Sequence, residues 1–343
     1  MPWKGEEAKL SLLSNEKHAR KRLCALSCKL DKNPDLRERY DKVFESYEQD
    51  NIIVEVPPHE LVSPYPTYYM PHRPVIRDSV STKVRPVFDA SAAGPNGVSL
   101  NDCLESGPSL IPDLVEILVR FRRWNIALTA DIAKAFLQIG VQRPDQDVHR
   151  FLWQRGDVVR VMRFVRVPFG NTSSPFLLNA TIKHHLNSYP DSVTVTELKE
   201  NLYIDDWLSG ADTVEDACKM FSEAQSILSE AGMTLSKWHT NNEHVISLHE
   251  QYFACDVGTT KLLGMCWDPS DDVFSFKGFN LDNKFDLSLT KRNVLSLIAR
   301  LFDPLGLISP FTMYAKILFQ DIWRLGLGWD EILPLDYQHK FQF

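Results

Sequence analysis

Apolar residues recur at helical spacing over the first fifty residues of the chain. One amphipathic stretch covers residues 6–30, and a second covers residues 33–50, where Asn33 is suited to begin a helix. Six prolines between residues 57 and 74 then exclude long regular structure, because each removes a backbone donor and fixes φ. The pattern predicts two helices of an ordinary helical subdomain, followed by an extended connector.

After the connector, short apolar runs alternate with amphipathic stretches. The predicted elements, in chain order, are a hairpin over 74–89, a helix over 113–124, a strand over 126–131, a strand pair over 150–153 and 158–167, a helix over 175–188, a hairpin over 202–208 with a turn at 209–212, a helix over 213–232, a strand over 233–238, a hairpin around 261–267, a helix from 289 to a break at 303–306, and a helix over 309–325. From residue 126 onward this order resembles a split βαββαβ sheet. An α+β fold is therefore predicted, with the end of the first strand beside the central hairpin.

Two adjacent carboxylates, Asp205 and Asp206, stand at the tip of the predicted central hairpin. Like charges that close repel each other unless a cation neutralises them, and hard divalent cations prefer oxygen ligands. Asp131 ends the predicted strand 126–131, so the sheet would bring a third carboxylate to the same place. Converging carboxylates are typical of two-metal nucleotidyl transfer. A polar turn remains the plain alternative for the pair, because aspartate is common in turns.

The hairpin over 74–89 carries three cations, Arg77, Lys83 and Arg85. Three cations on one hairpin are able to grip a triphosphate. A charged, solvent-exposed hairpin edge is the common alternative.

Composition narrows the class of protein. The 343 residues are 44% hydrophobic and 24% charged, which is typical of a globular chain, and the net charge of −7 argues mildly against a nucleic-acid partner. Between Arg120 and Arg166, however, ten basic residues face four aspartates, a local excess of six. That excess is compatible with phosphate-backbone binding and equally with a solvated face.

Targeting signals are not evident in the sequence. No apolar run approaches the ~18 residues of a membrane span, and the first residues lack a signal-peptide pattern. The six scattered cysteines lack paired zinc spacing and are interpreted as reduced thiols. We therefore expect an intracellular protein that has no membrane partner; a cytoplasmic location is implied only by the family resemblance described below.

Several segments resemble the motifs of reverse transcriptases. The similar segments are Lys83–Asp89 (the fingers motif that contacts triphosphate), Ala130–Phe136 (the first catalytic motif), Val167–Gly170 (the P-x-G segment) and Tyr203–Asp206 (the Y-x-D-D box). Four further segments resemble more closely the BEL/Pao class of LTR retrotransposons, namely Phe151–Trp153, Ser173–Ala180, Lys291–Ser296 and Phe302–Gly306. The resemblance covers nearly the whole chain and identifies it as the reverse transcriptase region of a BEL/Pao-type polyprotein.

The resemblance implies a right-hand polymerase of α+β class, with fingers, a palm built on a ferredoxin-like split βαββαβ sheet, and a partial thumb. It implies the following division: residues 1–56, an N-terminal helical segment; 57–125, fingers with the Pro-rich connector; 126–250, palm with a fingers insertion near 140–166; 251–288, a primer-grip hairpin region; and 289–343, partial thumb or connection helices.

The resemblance also implies roles for individual residues. Asp131 and Asp205 would bind two Mg²⁺ (or Mn²⁺) ions, with Asp206 in support and the Ile132 carbonyl as a further ligand. Lys237 would donate a proton to pyrophosphate, although an exposed lysine is an equal alternative. The residues implied for nucleotide, template and primer are Arg77, Lys83, Arg85, Lys134 and Ala135 at the triphosphate, Phe136 as the steric gate or else a core Phe, Phe169 and Gly170 behind the nucleotide and template, and Leu263, Gly264 and Met265 in the primer grip.

The implied function is RNA-directed DNA polymerase activity, in which dNTPs extend a primer on an RNA or DNA template. No D-[ST]-G occurs, so an aspartic protease site is not expected, and RNase H and integrase domains are expected to be absent from this chain. The alternative is a catalytically inactive or truncated retrotransposon remnant that only binds nucleic acid or protein.

Overall fold

The computed structural model describes residues 1–76, 84–253, 258–276 and 288–340. Its helices are α1 (Glu6–Ser11), α2 (Glu16–Leu30), α3 (Pro34–Gln49), α4 (Leu100–Cys103), α5 (Leu114–Phe121), α6 (Arg143–Gln146), α7 (Ser174–Leu186), α8 (Val193–Asn201), α9 (Val214–Glu230), α10 (Glu243–Leu248), α11 (Lys291–Arg300), α12 (Ser309–Arg324) and α13 (Leu335–Lys340). Its strands are β1 (Ile53–Glu55), β2 (His72–Ile76), β3 (Val84–Phe88), β4 (Ile126–Ile132), β5 (Arg150–Arg155), β6 (Val158–Phe164), β7 (Leu202–Tyr203), β8 (Asp206–Ala211), β9 (Leu235–Thr240), β10 (Thr260–Leu262), β11 (Met265–Asp268) and β12 (Val273–Ser275).

These elements form two compact units, each assembled from separate stretches of chain. Unit 1 comprises Met1–Ile111, Ile132–Pro190 and Ile227–Thr234. Unit 2 comprises Pro112–Asp131, Asp191–Ser226 and Leu235–Phe343. No helix among the described residues is both long and apolar enough to cross a membrane.

Unit 1 has an aromatic core that packs against two antiparallel β-sheets. Strands β1, β6 and β5 form one sheet, and β2 pairs with β3 in a separate hairpin. The fully buried Phe44 of α3 lies at the centre, with ring centroids at 5.2 Å from His72, 5.4 Å from Phe151 and 5.4 Å from Trp153. Aromatic rings bury large apolar areas, so this cluster fixes α3 against both hairpins.

The prediction of one helix over residues 6–30 is wrong, because the structure has two helices, α1 and α2. Helix α1 ends at Ser11, and α2 begins after Asn15. Asn15 is 2% exposed, and its side chain pairs with the backbone of the Pro-rich connector. Its amide donates to the Tyr69 carbonyl at 2.9 Å, and its Oδ1 accepts from the Tyr69 amide at 2.8 Å. The hydrophobic periodicity continues through the break and therefore hides it.

Unit 2 contains a four-stranded sheet in the order β7-β8-β4-β9. Strand β4 pairs antiparallel with β8, and the register places Asp131 directly opposite Asp206. This order is that of the predicted split βαββαβ sheet, and the predicted α+β class is confirmed.

Two local predictions in unit 2 fail. Helix α8 was not predicted, because its sequence Val-Thr-Val-Thr is rich in β-branched residues that disfavour helix. The predicted turn at 209–212 is the end of β8, which runs to Ala211. Gly210 permits this close strand pairing, since a Cβ there would lie 2.3 Å from the Ile126 carbonyl oxygen.

Candidate active site

The acidic hairpin of unit 2 is a tight two-residue turn. Strands β7 and β8 pair Tyr203 with Asp206, which leaves Ile204 and Asp205 at the tip. Ile204 has φ of 60°, a left-handed conformation that is unfavourable for a β-branched side chain. Such strain persists only where the surrounding structure enforces it, and it is often found at functional sites.

The four predicted catalytic residues belong to the same end of this sheet. Asp131 and Asp206 are directly opposite across β4 and β8, which puts their Cβ atoms about 4.5–5.5 Å apart. Asp205 adjoins them in the turn, and Ile132 follows Asp131 in β4. Lys237, on β9 with φ of 52°, places its Nζ 3.0 Å from Asp131 Oδ2. The structure thus places three carboxylates and one ammonium at the same end of the sheet.

The carboxylates create a strongly negative site. The pKa of Asp206 is raised to about 7, chiefly because burial disfavours the charged form and then because Asp205 and Asp131 repel it. Lys237 acts in the opposite direction and lowers this pKa. Because burial and the like-charged neighbours raise the pKa of this carboxyl, a bound cation would favour its ionised form.

The donor set fits a hard divalent cation, because it consists of carboxylate oxygens and an adjacent backbone carbonyl. Within the described ranges, no three acidic, histidine or cysteine side chains converge into a ready metal cluster. The Lys237 ammonium lies 3.0 Å from Asp131 Oδ2, so a cation at that oxygen would have to displace it. Lys237 is half-exposed, so its side chain has room to leave that oxygen.

The raised pKa of Asp206 predicts a pH-dependent stability. The folded state binds this proton more tightly than the unfolded state, so the stabilisation is full below about pH 4 and is lost as the pH rises to about 7. In chelator-treated protein, Asp206→Asn should therefore leave the melting temperature nearly unchanged near pH 4 and raise it by several degrees at pH 8. Calorimetric melting across this range measures the effect, with the exposed Asp157→Asn as control. An equal gain at every pH would contradict the assignment.

A buried glutamate on α8 supports the acidic hairpin, and sequence reasoning missed it. Glu197 is 2% exposed and accepts from Arg123 Nη2 at 2.6 Å, from Asn201 Nδ2 at 2.7 Å and from Ser209 Oγ at 2.7 Å. Its backbone carbonyl accepts from the Trp207 indole at 3.2 Å. These contacts hold the residues on both sides of the Asp205–Asp206 turn. No motif marks this residue, because its partners come from several elements.

The predicted nucleotide-binding residues that the structure describes lie in unit 1. Arg85 is exposed on β3, and the Lys134 ammonium is bound to Asp50 Oδ2 at 2.6 Å. Ala135 follows in a single 3-10 turn. Arg77 and Lys83 lie outside the described residues.

Two aromatic residues of unit 1, Phe136 and Phe169, form an edge-to-face pair with centroids 4.9 Å apart. Gly170 follows at φ of 107°, where a Cβ would lie 2.6 Å from the Phe88 carbonyl oxygen. Only glycine fits there, because both the conformation and the space exclude a side chain.

The predicted primer-grip residues form the turn between β10 and β11. Leu263 and Gly264 both have positive φ, at 49° and 94°, which is typical of a type I′ hairpin turn. A Cβ on Gly264 would lie 2.7 Å from the Phe302 ring, so the turn packs closely on that residue. Met265 is buried with Leu208 and Ala127 in the apolar cluster of unit 2. The hairpin and strand β8 therefore share one core.

The basic residues between Arg120 and Arg166 do not form an open cationic surface. All except Arg166 make ion pairs within the protein, for example Arg122 with Asp272, Arg123 with Glu197 and Arg150 with the buried Asp147. The local charge excess is thus largely neutralised by acidic residues elsewhere in the chain. Of the two interpretations of this run, a free phosphate-binding groove is not supported.

The fold and the acidic hairpin together define a polymerase of the right-hand class. Residues 83–265, more than half of the chain, match the family described as reverse transcriptase (RNA-dependent DNA polymerase). The chain belongs to that family, whose members are nucleotidyltransferases.

A second family match refines this identification. Residues 290–342 match the Pao retrotransposon-like RNaseH-like domain, so the chain is a reverse transcriptase region of a Pao/BEL-type retrotransposon. The same residues, which the sequence assigned to thumb or connection helices, form α11, α12 and α13. An RNase H domain was expected to be absent from this chain, and this expectation is corrected for residues 290–342, which match an RNaseH-like family model. No curated protein matches the sequence closely enough to count as a relative.

Solved structures share the fold at low sequence identity. A foamy viral protease-reverse transcriptase in complex with dsDNA matches with a TM-score of 0.61 and 15% identity over 89% of this chain and 55% of that chain. The same viral protein in complex with an RNA/DNA hybrid matches with a TM-score of 0.58 and 15% identity over 90% of this chain and 36% of that chain. This chain thus spans about half of those proteins or less, and the likeness shows the fold alone.

Proposed function

We propose that the chain is the polymerase part of a reverse transcriptase and extends a primer with dNTPs on an RNA or DNA template. The observation that carries the proposal is the pairing of Asp131 with Asp206 across β4 and β8, with Asp205 in the adjoining turn. Carboxylates gathered at one sheet end, where burial and then the neighbouring carboxylates raise the pKa of Asp206, suit a site that works with bound cations.

In this proposal the acidic residues hold Mg²⁺, with Mn²⁺ as a possible substitute. Asp131, Asp205 and Asp206 would supply carboxylate oxygens, and Ile132 would supply its carbonyl. When bound, two such ions lower the pKa of the attacking primer hydroxyl and neutralise charge on the leaving phosphate. The chain's own contribution is to fix these oxygens at the end of a paired sheet.

The other predicted residues would handle the nucleotide. Arg85 and the backbone amides of Lys134 and Ala135 would bind the triphosphate, since guanidinium and amide groups suit phosphate oxygens. Phe136 would close the space beneath the sugar. Lys237 would protonate the leaving pyrophosphate after its ammonium leaves Asp131. Arg77 and Lys83 remain predicted partners of the triphosphate.

A template–primer duplex is the proposed macromolecular partner. The foamy viral proteins of similar fold are described in complex with dsDNA and with an RNA/DNA hybrid, which supports a duplex ligand for this chain. The Leu263–Gly264–Met265 turn would contact the primer strand. We also retain fingers, palm and partial thumb as the proposed division of the chain.

The test is incorporation of labelled dTTP on poly(rA)/oligo(dT), with and without Mg²⁺. We expect extension that requires Mg²⁺, disappears with EDTA and returns when Mg²⁺ is restored in excess. Duplex binding without extension, in protein shown to be folded, would contradict the proposal and favour the inactive remnant.

A further inference from the structure

The loop before α7 carries an exposed aromatic side chain that the fold of unit 1 does not require for its core. Phe169 is 44% exposed, and its ring meets Phe136 at 89° with centroids 4.9 Å apart. Neither ring belongs to the buried aromatic cluster around Phe44. The Phe136–Phe169 contact is thus a separate pair, and one of its rings is open to the surface of unit 1.

The backbone on both sides of Phe169 is held rigidly. Asn101 Nδ2 donates to the Gly170 carbonyl at 3.0 Å, and Asn101 Oδ1 accepts from the Thr172 amide at 2.9 Å. Ser174 Oγ donates to the Pro168 carbonyl at 2.8 Å. Asn101 thus binds the backbone that follows Phe169, and Ser174 binds the backbone that precedes it.

The asparagine is itself fixed in place. Asn101 lies in α4, its backbone amide donates to the Ala90 carbonyl at 3.1 Å, and its Nδ2 also donates to Ser91 Oγ at 2.9 Å. Gly170 presses on the Phe88 carbonyl with no space for a side chain. These contacts restrict the loop on both sides of Phe169, so that its side chain is carried on a supported backbone.

We propose that Phe169, held by Asn101, is a positioning residue that sets sugar selectivity by fixing the ring of Phe136. The inference rests on the proposed function, in which Phe136 lies beneath the nucleotide sugar. A ring excludes a 2′-hydroxyl only while it stays in place. An edge-to-face partner restricts its rotation and favours one orientation. Loss of that partner lets the Phe136 ring turn aside and admit ribonucleotides.

The first experiment measures kcat/KM for dTTP and for UTP on the same template–primer. An edge-to-face pair is worth a factor of about two to ten, so Phe169→Leu should lower the dTTP-to-UTP ratio by that factor. Phe169→Tyr keeps the ring and should restore the ratio. Phe136→Val removes the gate itself and should lower the ratio further. Val159→Ala, a substitution at a comparably exposed position on β6, should leave it unchanged.

The role of Asn101 is tested by coupling. Asn101→Ala should lower the same ratio, and the double variant with Phe169→Leu should lower it no further than Phe169→Leu alone, because both act through one ring. Additive losses would overturn the assignment of Asn101. An unchanged ratio in Phe169→Leu, beside a lowered ratio in Phe136→Val, would overturn the proposal while leaving the gate in place.

A second readout does not depend on catalysis. The ¹⁹F resonance of 4-fluorophenylalanine introduced at position 136 should shift in Phe169→Leu and return towards its original position in Phe169→Tyr. An unshifted signal would overturn the proposed contact whatever the activity. Extension by no variant, wild type included, would instead overturn the proposed function and with it the selectivity role.

Discussion

Asp205→Asn is expected to lower the rate of primer extension by at least about 10³-fold while the protein stays folded. Asparagine keeps the size and shape of the side chain but removes the negative charge that a metal ligand supplies at this site. The charge stabilisation contributed by a bound metal is several kcal/mol, and each 1.4 kcal/mol corresponds to about a factor of ten in rate.

The variant should also keep or gain stability in the absence of divalent cations. Asp205 is one of the two carboxylates that raise the pKa of Asp206, so its neutralisation removes repulsion from the folded state. Single-nucleotide incorporation and a melting curve in EDTA measure the two effects on one preparation. Asp191→Asn, at an exposed position before α8, is the matched control. Activity equal to that of the wild type would exclude Asp205 as a metal ligand.

The part of the candidate site that the sequence predicted is formed by residues that are close together in the chain. The Asp205–Asp206 pair sits in a two-residue turn between strands, and its hairpin is set by neighbouring residues. Asp131 required one more step, since its place beside the hairpin follows only from the βαββαβ order. That order survives long insertions, because strand pairing in a buried sheet depends on which face is apolar.

The parts that sequence missed depend on contacts between distant residues. Asn101 reaches Gly170 across 69 positions, and Arg122 reaches Asp272 across 150 positions. The local sum of charge around Arg120–Arg166 was misleading for the same reason, since most of the neutralising carboxylates lie outside the run. The predicted helix over residues 6–30 is interrupted before Asn15, although its apolar spacing continues, because the Asn15 side chain binds the backbone of Tyr69. A window of sequence contains none of these partners.

Glu197 connects residues that are distant in the sequence to the two strands that carry the predicted catalytic aspartates. Its carboxylate is the shared acceptor for Arg123, Asn201 and Ser209, and the last two stand directly before β7 and within β8. Arg120 extends the network, with its Nε donating to Asn201 Oδ1 at 2.7 Å. The acidic turn is thus anchored at both strands through one buried side chain.

Glu197→Ala is therefore expected to destabilise the protein by about 3–5 kcal/mol, because it leaves buried donors and a cation without their shared acceptor. Extension by the protein that remains folded should fall by about 10²-fold, since small displacements of catalytic groups have effects of that size. Urea denaturation and active-site titration, followed by single-turnover rates, separate the two losses. Glu215→Ala, at an exposed position on α9, should change neither.

Glu197→Gln distinguishes anchoring from simple packing. Glutamine fills the same volume and can still accept from Asn201 or Ser209, but it no longer neutralises Arg123. If the carboxylate anchors the turn, the glutamine variant should lie between the wild type and Glu197→Ala in both stability and rate. If only volume matters at this position, glutamine should behave as the wild type, and the link between α8 and the acidic turn would then be one of packing alone.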